Sequence, residues 1–421
     1  MPHPVPSLWA ATAVPAPETP PLRGANRADV AIIGAGFTGL SAALKLAEGG
    51  AEVTVVDSHA PGFGASGRNG GQVIPGLKYD PDTLDRLYGE ATTDFAGRTA
   101  ETTFGLIEKH AIACEPMRKG WIQASLKTSH LPTLEGRMRQ WQARGAPVEM
   151  LDAAQMAART GSQSFAGGWL DGRAGSLHPL SYARGLAQAA IAAGAKIYGD
   201  SEASALKRSP EGWTISLASG ASLEAREAIV ATNGYTGPLW PKLKATVIPA
   251  NSIQVATVPL PEALLAEILP ERMVVSDSRR ITNYFRIGPG GRLMMGGRGS
   301  FSEPEAPADY RRIIAAMHRF FPQTRELALD YFWAGRVAMT RDHLPHIHQP
   351  FENLTMALGY NGRGVALASA LGQAIGAHLL DRTSPLPLKL TEIDPMPVHG
   401  LHPIYASAMI SYYRLRDALE S

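Results

Sequence analysis

The run Asp29-Val-Ala-Ile-Ile-Gly-Ala-Gly-Phe-Thr-Gly39 decides how this chain folds. Its first half is a short apolar strand behind one acid. Its second half is a glycine turn of the form G-x-G-x-x-G. Beyond the turn, Leu40, Ala43, Leu44 and Ala47 recur at helical spacing, and Gly49-Gly50 ends that helix, since glycine accepts the conformation a C-cap needs. Val53–Val56 reads as a second strand closed by Asp57. Strand, turn, helix and strand make a complete β-α-β unit. Gly34 supplies the tight turn, Gly36 leaves the backbone open to close approach, and Gly39 lets helix and sheet pack closely.

Such a turn at a helix N-terminus offers N–H groups and a partial positive charge to a pyrophosphate. Residues 34–39 (Gly34, Ala35, Gly36, Phe37, Thr38, Gly39) are therefore expected to hold a dinucleotide. Asp57 and Ser58 are expected at its ribose. An acid there implies a free 2′-hydroxyl, which fits FAD or NAD better than NADP. The segment Gly64-Ala-Ser-Gly-Arg-Asn-Gly-Gly71 separates the two. An FAD protein needs donors for its second phosphate and ribityl chain just past the second strand. Ser66, Arg68 and Asn69 are the donors this segment offers, and Gly70, Gly71 and Gln72 bring backbone close to a ring. A second glycine loop, Gly359-Tyr-Asn-Gly-Arg-Gly364, follows the apolar strand Leu354–Leu358 and opens an uncharged helix. Its N–H groups would face whatever lies before that helix. At the pyrimidine end of a flavin they would favour the negative charge of the reduced ring. An NAD-dependent dehydrogenase would leave both late segments unexplained. A non-catalytic flavin-binding partner subunit is the other alternative.

The fingerprint, the G-A-S-G-R-N-G-G segment and the G-Y-N-G-R-G loop resemble the D-amino-acid oxidase superfamily of flavoproteins, and within it the γ-glutamylputrescine oxidase branch. The likeness runs from Leu8-Trp-Ala-Ala-Thr12 to Tyr412-Tyr-Arg-Leu-Arg-Asp417. It implies an α/β chain, α+β in its second domain. A Rossmann-like FAD-binding domain would be interleaved with a substrate domain built on a mixed β-sheet. Residues 28–85, 152–240 and 335–390 are assigned to the first domain, and 86–151 and 241–334 to the second. Residues 1–27 read as an extended arm, with five prolines between Pro4 and Pro20, and 391–421 as a tail packing on the core. The resemblance also implies that Ala203, Ala231, Thr232, Gly335, Gly359, Tyr360, Asn361, Gly362, Gly364 and Val365 touch FAD. It implies hydride transfer from a substrate carbon to the flavin, hydrolysis of the imine, and reoxidation by oxygen or another acceptor.

Departures from the relatives carry information. Ala338 stands where sarcosine oxidase carries a cysteine bound to flavin, so the FAD is expected to be non-covalent. Ala366 and Val337 replace cations that hold a substrate carboxylate in the relatives. This argues for a small amine over an α-amino acid. Tyr284, Arg336 and Arg363 remain as pocket candidates, and Asp277 as a partner for a distal ammonium. Met294 replaces a lysine that speeds reaction with oxygen. Slow reoxidation in air is therefore expected, unless Arg286 or Arg298 supplies the charge.

Composition excludes other classes. Lys and Arg number 40 against 38 acids, without a basic patch, so nucleic acid is not an expected partner. The single cysteine, Cys114, allows no intrachain disulfide, and a reducing, cytoplasmic setting is the simpler expectation. Gly364–Leu380 lacks charge but contains Gly, Ser, Gln and His, and it reads as a buried helix and not a membrane span. His343, His346 and His348 lack a completing carboxylate set and read as a solvated loop, so no metal is expected.

Overall fold

The structure is a computed structural model, and it describes residues 7–419. Prolines 4 and 6 of the expected arm lie outside that range. The chain begins with helix α1 (Leu8–Thr12), then β1 (Ala25–Ile33), α2 (Phe37–Glu48) and β2 (Val53–Val56). Next come β3 (Gln72–Val73), α3 (Pro81–Tyr88), α4 (Glu90–Lys109), β4 (Trp121–Ser125), α5 (Leu131–Gln142) and β5 (Val148–Asp152). These are followed by α6 (Ala153–Thr160), β6 (Gly167–Asp171), β7 (Gly175–Ser176), α7 (Pro179–Ala192) and β8 (Lys196–Tyr198). The centre holds β9 (Ala203–Ser209), β10 (Gly212–Leu217), β11 (Ser222–Val230), β12 (Ile248–Pro259), α8 (Glu262–Glu267) and β13 (Val274–Asp277). The last third runs β14 (Asn283–Gly288), β15 (Arg292–Arg298), α9 (Arg311–Phe320), β16 (Leu329–Met339), β17 (His346–Phe351), β18 (Leu354–Leu358), α10 (Gly364–Leu380) and α11 (His402–Leu419).

Two eight-stranded sheets carry the molecule. The first has the order β17-β18-β11-β1-β2-β8, with the β9–β10 hairpin attached to β11. Its centre is parallel: Ile32 of β1 sits between Ile229 of β11 and Val55 of β2. Parallel strands buried on both faces read as continuous apolar runs, and Val53–Val56 is buried throughout. Leu40 and Leu44 of α2, Leu186 of α7 and Leu371 and Ile375 of α10 cover one face. Trp213, Ile215 and Leu223 cover the other. Helices α2 and α10 touch almost backbone to backbone. A Cβ on Gly372 would stand 2.4 Å from the Thr38 carbonyl oxygen.

The second sheet has the order β16-β12-β15-β14-β13-β4-β6-β5. It is mixed, because β13 runs parallel to β4 while its other pairs are antiparallel. One face packs Val255, Phe285 and Met295 against Ile313, Met317 and Phe320 of α9. The opposite face looks toward the first sheet. The two-domain α/β architecture expected from the sequence is thus present.

The boundaries differ in four places. Helix α4, given to the second domain with residues 86–151, packs Ala96, Ala100 and Phe104 into the core around the first sheet. Strand β6 and the first residues after 335 belong to the second sheet, although 152–240 and 335–390 had been given to the FAD-binding part. The arm is not wholly extended, because the Ser7 side chain caps Leu8–Thr12 by accepting from Ala10 N. The tail packs on the core at both ends: Thr391 N donates to Ile347 O and Met396 N to Ala245 O, and near its end Asp417 accepts from Arg280 and from Ile281 N. Leu401 is exposed just before helix α11, which itself exposes Ile404, Tyr412 and Leu415. Among the described residues no helix is long and apolar enough to cross a membrane.

Helix α1 is an internal prop. Leu8 and Trp9 are fully buried with Leu180, Met294 and Trp333, and Trp9 Nε1 donates to Asn69 O at 2.8 Å. Trp9→Ala removes a buried indole together with a loop anchor and should cost about 3–5 kcal/mol. Equilibrium urea unfolding measures it, and a loss under about 1 kcal/mol would show that α1 contributes little.

Candidate active site

A cavity of about 780 Å³ lies between the two sheets. Its inner end is the first β-α turn. Gly34 has φ +114, and a Cβ there would meet the Ala231 carbonyl oxygen at 2.7 Å. Gly39 is packed still more tightly, with 1.9 Å from its ideal Cβ to Gly34 O. No side chain caps α2 at Gly36, so the N-terminus of that helix opens toward the cavity. Phe37 N donates to Ser66 Oγ at 2.9 Å. Asp57 accepts from Ala35 N at 2.7 Å and from His59 N at 2.9 Å. Burial pushes its carboxyl up, against the pull of those two N–H groups. Ser58, Ala203, Ala231 and Thr232 line the same end.

The 64–71 loop crosses the middle. Gly64, Ala65, Ser66, Arg68, Asn69, Gly70 and Gln72 line the cavity, and Gly71 does not. Gly71 turns the chain at φ +66 behind it. The expected donors are only partly available. Asn69 spends its amide on the loop itself, giving its N–H groups to Ala65 O and Ser66 O and accepting from Gly71 N. It braces the loop and has no donor left for a ligand. Arg68 lies over the Phe63 ring at 4.4 Å, and its carbonyl accepts from Gln254 and Trp333.

The late glycine loop closes the far end. Tyr360, Asn361, Gly362, Arg363, Gly364 and Val365 line the cavity, as does Gly335. Gly359 does not; its N–H donates to Asn233 Oδ1 at 2.9 Å and holds the loop from outside. Tyr360 Oη and Thr38 Oγ1 are 2.6 Å apart, which ties this loop to α2. Asn361 is an internal brace, bonded to Thr340 and to Gly359 O.

The second sheet forms the opposite wall. The Tyr284 ring is held between Gly70 and Gly296, where a Cβ would come within 2.7 and 2.2 Å of it. Its hydroxyl is 2.7 Å from Ser252 Oγ, and burial pushes it up to about 12. Arg363 donates to Pro75 O at 2.9 Å and lies 5.0 Å from the Trp121 ring. Arg336 also lines the cavity, with its guanidinium bonded to Glu303. Asp277 is no free acid, since Arg279 and Asn283 both occupy it.

The chain matches, over residues 29–378, the family described as FAD dependent oxidoreductase, DAO. It belongs to that family. A probable oxidoreductase OrdL of Rhizobium meliloti is 33% identical over 98% of this chain and 97% of that protein. A gamma-glutamylputrescine oxidoreductase of Escherichia coli is 30% identical over 93% of each. Glycine oxidase from Geobacillus kaustophilus shares the fold, with a TM-score of 0.75 at 20% identity, covering 88% of this chain and 99% of that one. The protein is thus an FAD-dependent oxidoreductase of the DAO family, acting on C–N bonds of amines or amino acids.

The residues present fit FAD. The N-terminus of α2 and side-chain-free Gly36 suit a pyrophosphate, Asp57 a ribose, and the N-terminus of α10 with Arg363 the pyrimidine end of the ring. Bound there, FAD supplies the electron-pair acceptor for C–N oxidation. Ala338 lines the cavity and Cys114 does not. Cys114 is buried against the first sheet's helices and not in a cap, and its thiol is pushed up to about 12. Among the described residues no group of His, Cys and acids is arranged to hold a metal. His346 is bonded to Asp342, and His348 is buried and not solvated, with Nδ1 2.8 Å from Thr391 O.

The structure places the remaining residues as follows. Met294 is buried beside α1, away from the cavity, and Arg286 faces it across the ladder. The Arg286 guanidinium donates to Gly71 O at 3.1 Å and Leu177 O at 2.7 Å, a positive charge directly behind the central loop. Ala366 lies in the helical core, out of the cavity lining. Arg298, offered from the sequence as a substitute cation, lines the cavity, and so does Lys78, which nothing in its sequence neighbourhood marks.

Gly36→Val tests the cradle. Gly36 has φ −90, which any residue adopts, and its Cβ would touch only Ser66 Oγ at 3.0 Å. The chain should therefore fold, while the branched side chain fills the pyrophosphate position. The variant is expected to purify colourless with an unaltered far-UV spectrum. A yellow protein at full occupancy would disprove the placement.

Proposed function

We propose that this enzyme oxidises the C–N bond of a small primary or secondary amine of the γ-glutamylputrescine type. The imine product hydrolyses to an aldehyde plus ammonia or an amine. The observation that carries this reading is the state of β16. Val337, which occupies the place of a carboxylate-binding cation in related enzymes, faces the cavity, and Arg336 beside it is engaged by Glu303. An α-amino acid would bring its carboxylate to Val337 and find no free cation on this strand. An amine without an adjacent carboxylate loses nothing there. The extended likeness to the E. coli gamma-glutamylputrescine oxidoreductase supports the same choice.

Catalysis in such a site needs no strong base. The amine must arrive neutral, oriented and dry. The Tyr284 ring, fixed by two glycines and by Ser252, gives one rigid wall for its chain. An anaerobic screen of amines and α-amino acids, read as loss of the yellow flavin band, is the direct test. Reduction by γ-glutamylputrescine or a similar amine, at least about tenfold faster than by any α-amino acid, is expected. The reverse order would refute the proposal.

The acceptor follows from Arg286. A buried positive charge beside the flavin stabilises the superoxide formed as the first electron reaches oxygen. Met294 alone suggests slow reoxidation in air; Arg286 behind Gly70 and Gly71 supports reaction with oxygen. In Arg286→Met, reoxidation by oxygen should fall relative to reoxidation by an artificial quinone, as measured by stopped flow on the reduced enzyme. An unchanged ratio would remove Arg286 from that role.

A further inference from the structure

Two cations on the cavity wall have no counter-charge. Lys78 follows β3, on the FAD-binding side, and Arg298 ends β15, on the opposite sheet. Both line the cavity, yet neither makes a hydrogen bond or ion pair among the described residues. Most of the other cations around this space are engaged. Arg336 is bonded to Glu303, Arg280 to Asp417, and Arg137 to Asp80 and Gln123.

The surroundings of Lys78 sharpen the point. Lys78 is exposed as a residue, and it lines the cavity. Burial pushes the ammonium down to about 8, and the charges of Arg363, Arg298 and Arg137 push the same way. His343 lies near enough to feel the Lys78 charge. Three guanidiniums and an ammonium thus share one region without a free carboxylate. Like charges held together in a partly desolvated space destabilise the empty site, and an anion placed among them removes that cost.

We infer that Lys78 and Arg298 form an anion subsite for a carboxylate carried by the substrate at a distance from the reacting amine. This inference rests on the proposed amine oxidation and narrows its substrate class. The amine would bear a terminal carboxylate, alone or within a zwitterion, separated from the reacting C–N bond by a chain. The geometry explains how one enzyme can refuse an α-carboxylate at Val337 and still require an acid. Tyr284 and Gly296 lie deep at the sheet wall, whereas Lys78 is accessible. The two recognition points are therefore at different depths of one cavity. Because Lys78 and Arg298 come from opposite sides, a carboxylate between them also bridges the two walls of the cavity.

The test separates this subsite from the oxidation itself. Glutarate cannot be oxidised as an amine, and its binding to the holoenzyme can be read from the perturbed flavin spectrum. Glutarate should bind, and neutral glutaramide should not. Lys78→Met and Arg298→Gln should each weaken glutarate by about tenfold or more, the range of one charge-assisted hydrogen bond. Lys78→Arg should restore most of the affinity. With turnover as the readout, the KM for γ-glutamylputrescine should rise in both variants. The KM for its α-carboxamide should stay unchanged, and kcat should stay within about twofold. Equal glutarate affinity in Lys78→Met and the parent would overturn the subsite. So would equal losses for carboxylate and carboxamide, or variants that purify without FAD. If no amine reduces the flavin while glutarate still binds through Lys78, the proposed oxidation fails and the anion subsite stands.

Discussion

Everything in this molecule hangs on the contact between Gly39 and the Gly34 carbonyl. With only 1.9 Å left for a Cβ, the first turn of α2 is pressed against the end of β1. That approach points the N-terminus of the helix into the space between the sheets. It also sets where Thr38 lies, and Thr38 meets Tyr360 of the late glycine loop at 2.6 Å. Two loops far apart in sequence are thus registered against one helix. The pyrophosphate end and the ring end of the cavity have a common reference point.

The middle loop is fixed differently. Residues 64–71 have almost no regular structure, and their order comes from neighbours. Asn69 ties Ala65, Ser66 and Gly71 together. Trp9, Gln254 and Trp333 hold its carbonyls from below, and Arg286 holds those of Gly70 and Gly71. Side-chain donors from α1 and the second sheet thus satisfy a loop that would otherwise bury unpaired carbonyls. Within this segment the Asn69 amide serves the loop itself.

The strands β1, β2, β11 and β18 and both glycine loops were legible because each is a local pattern, an apolar run meeting glycine. The short strands β4 and β6 were not. Trp121-Ile-Gln-Ala-Ser125 and Gly167-Gly-Trp-Leu-Asp171 sit among helical stretches, and their partners come from distant segments. Helix α1 was hidden by the prolines after it, although the Ser7 cap and the buried Leu8 and Trp9 were its signal. At the site, residue types that touch backbone through glycine could be read directly. Arg336 could not be told from Arg363 in sequence, since only the fold brings Glu303 to the one and Pro75 to the other. The isolation of Lys78 and Arg298 is likewise a property of space. No local motif records that a cation lacks a partner.

The close seat of α10 on α2 also bears on how the chain reaches this state. Helix α2 forms near the start of the polypeptide, but the helix that covers it is made near the end, after the whole second sheet. Until then its apolar side has no cover, and β11 lacks β18. During synthesis the ribosome therefore carries a long, incomplete intermediate whose first nucleotide-binding turn exists without a lid. Such high contact order slows folding and leaves sticky surface in the open. Yield of this protein in a host should depend on chaperone supply and growth temperature more than on the stability of the finished fold.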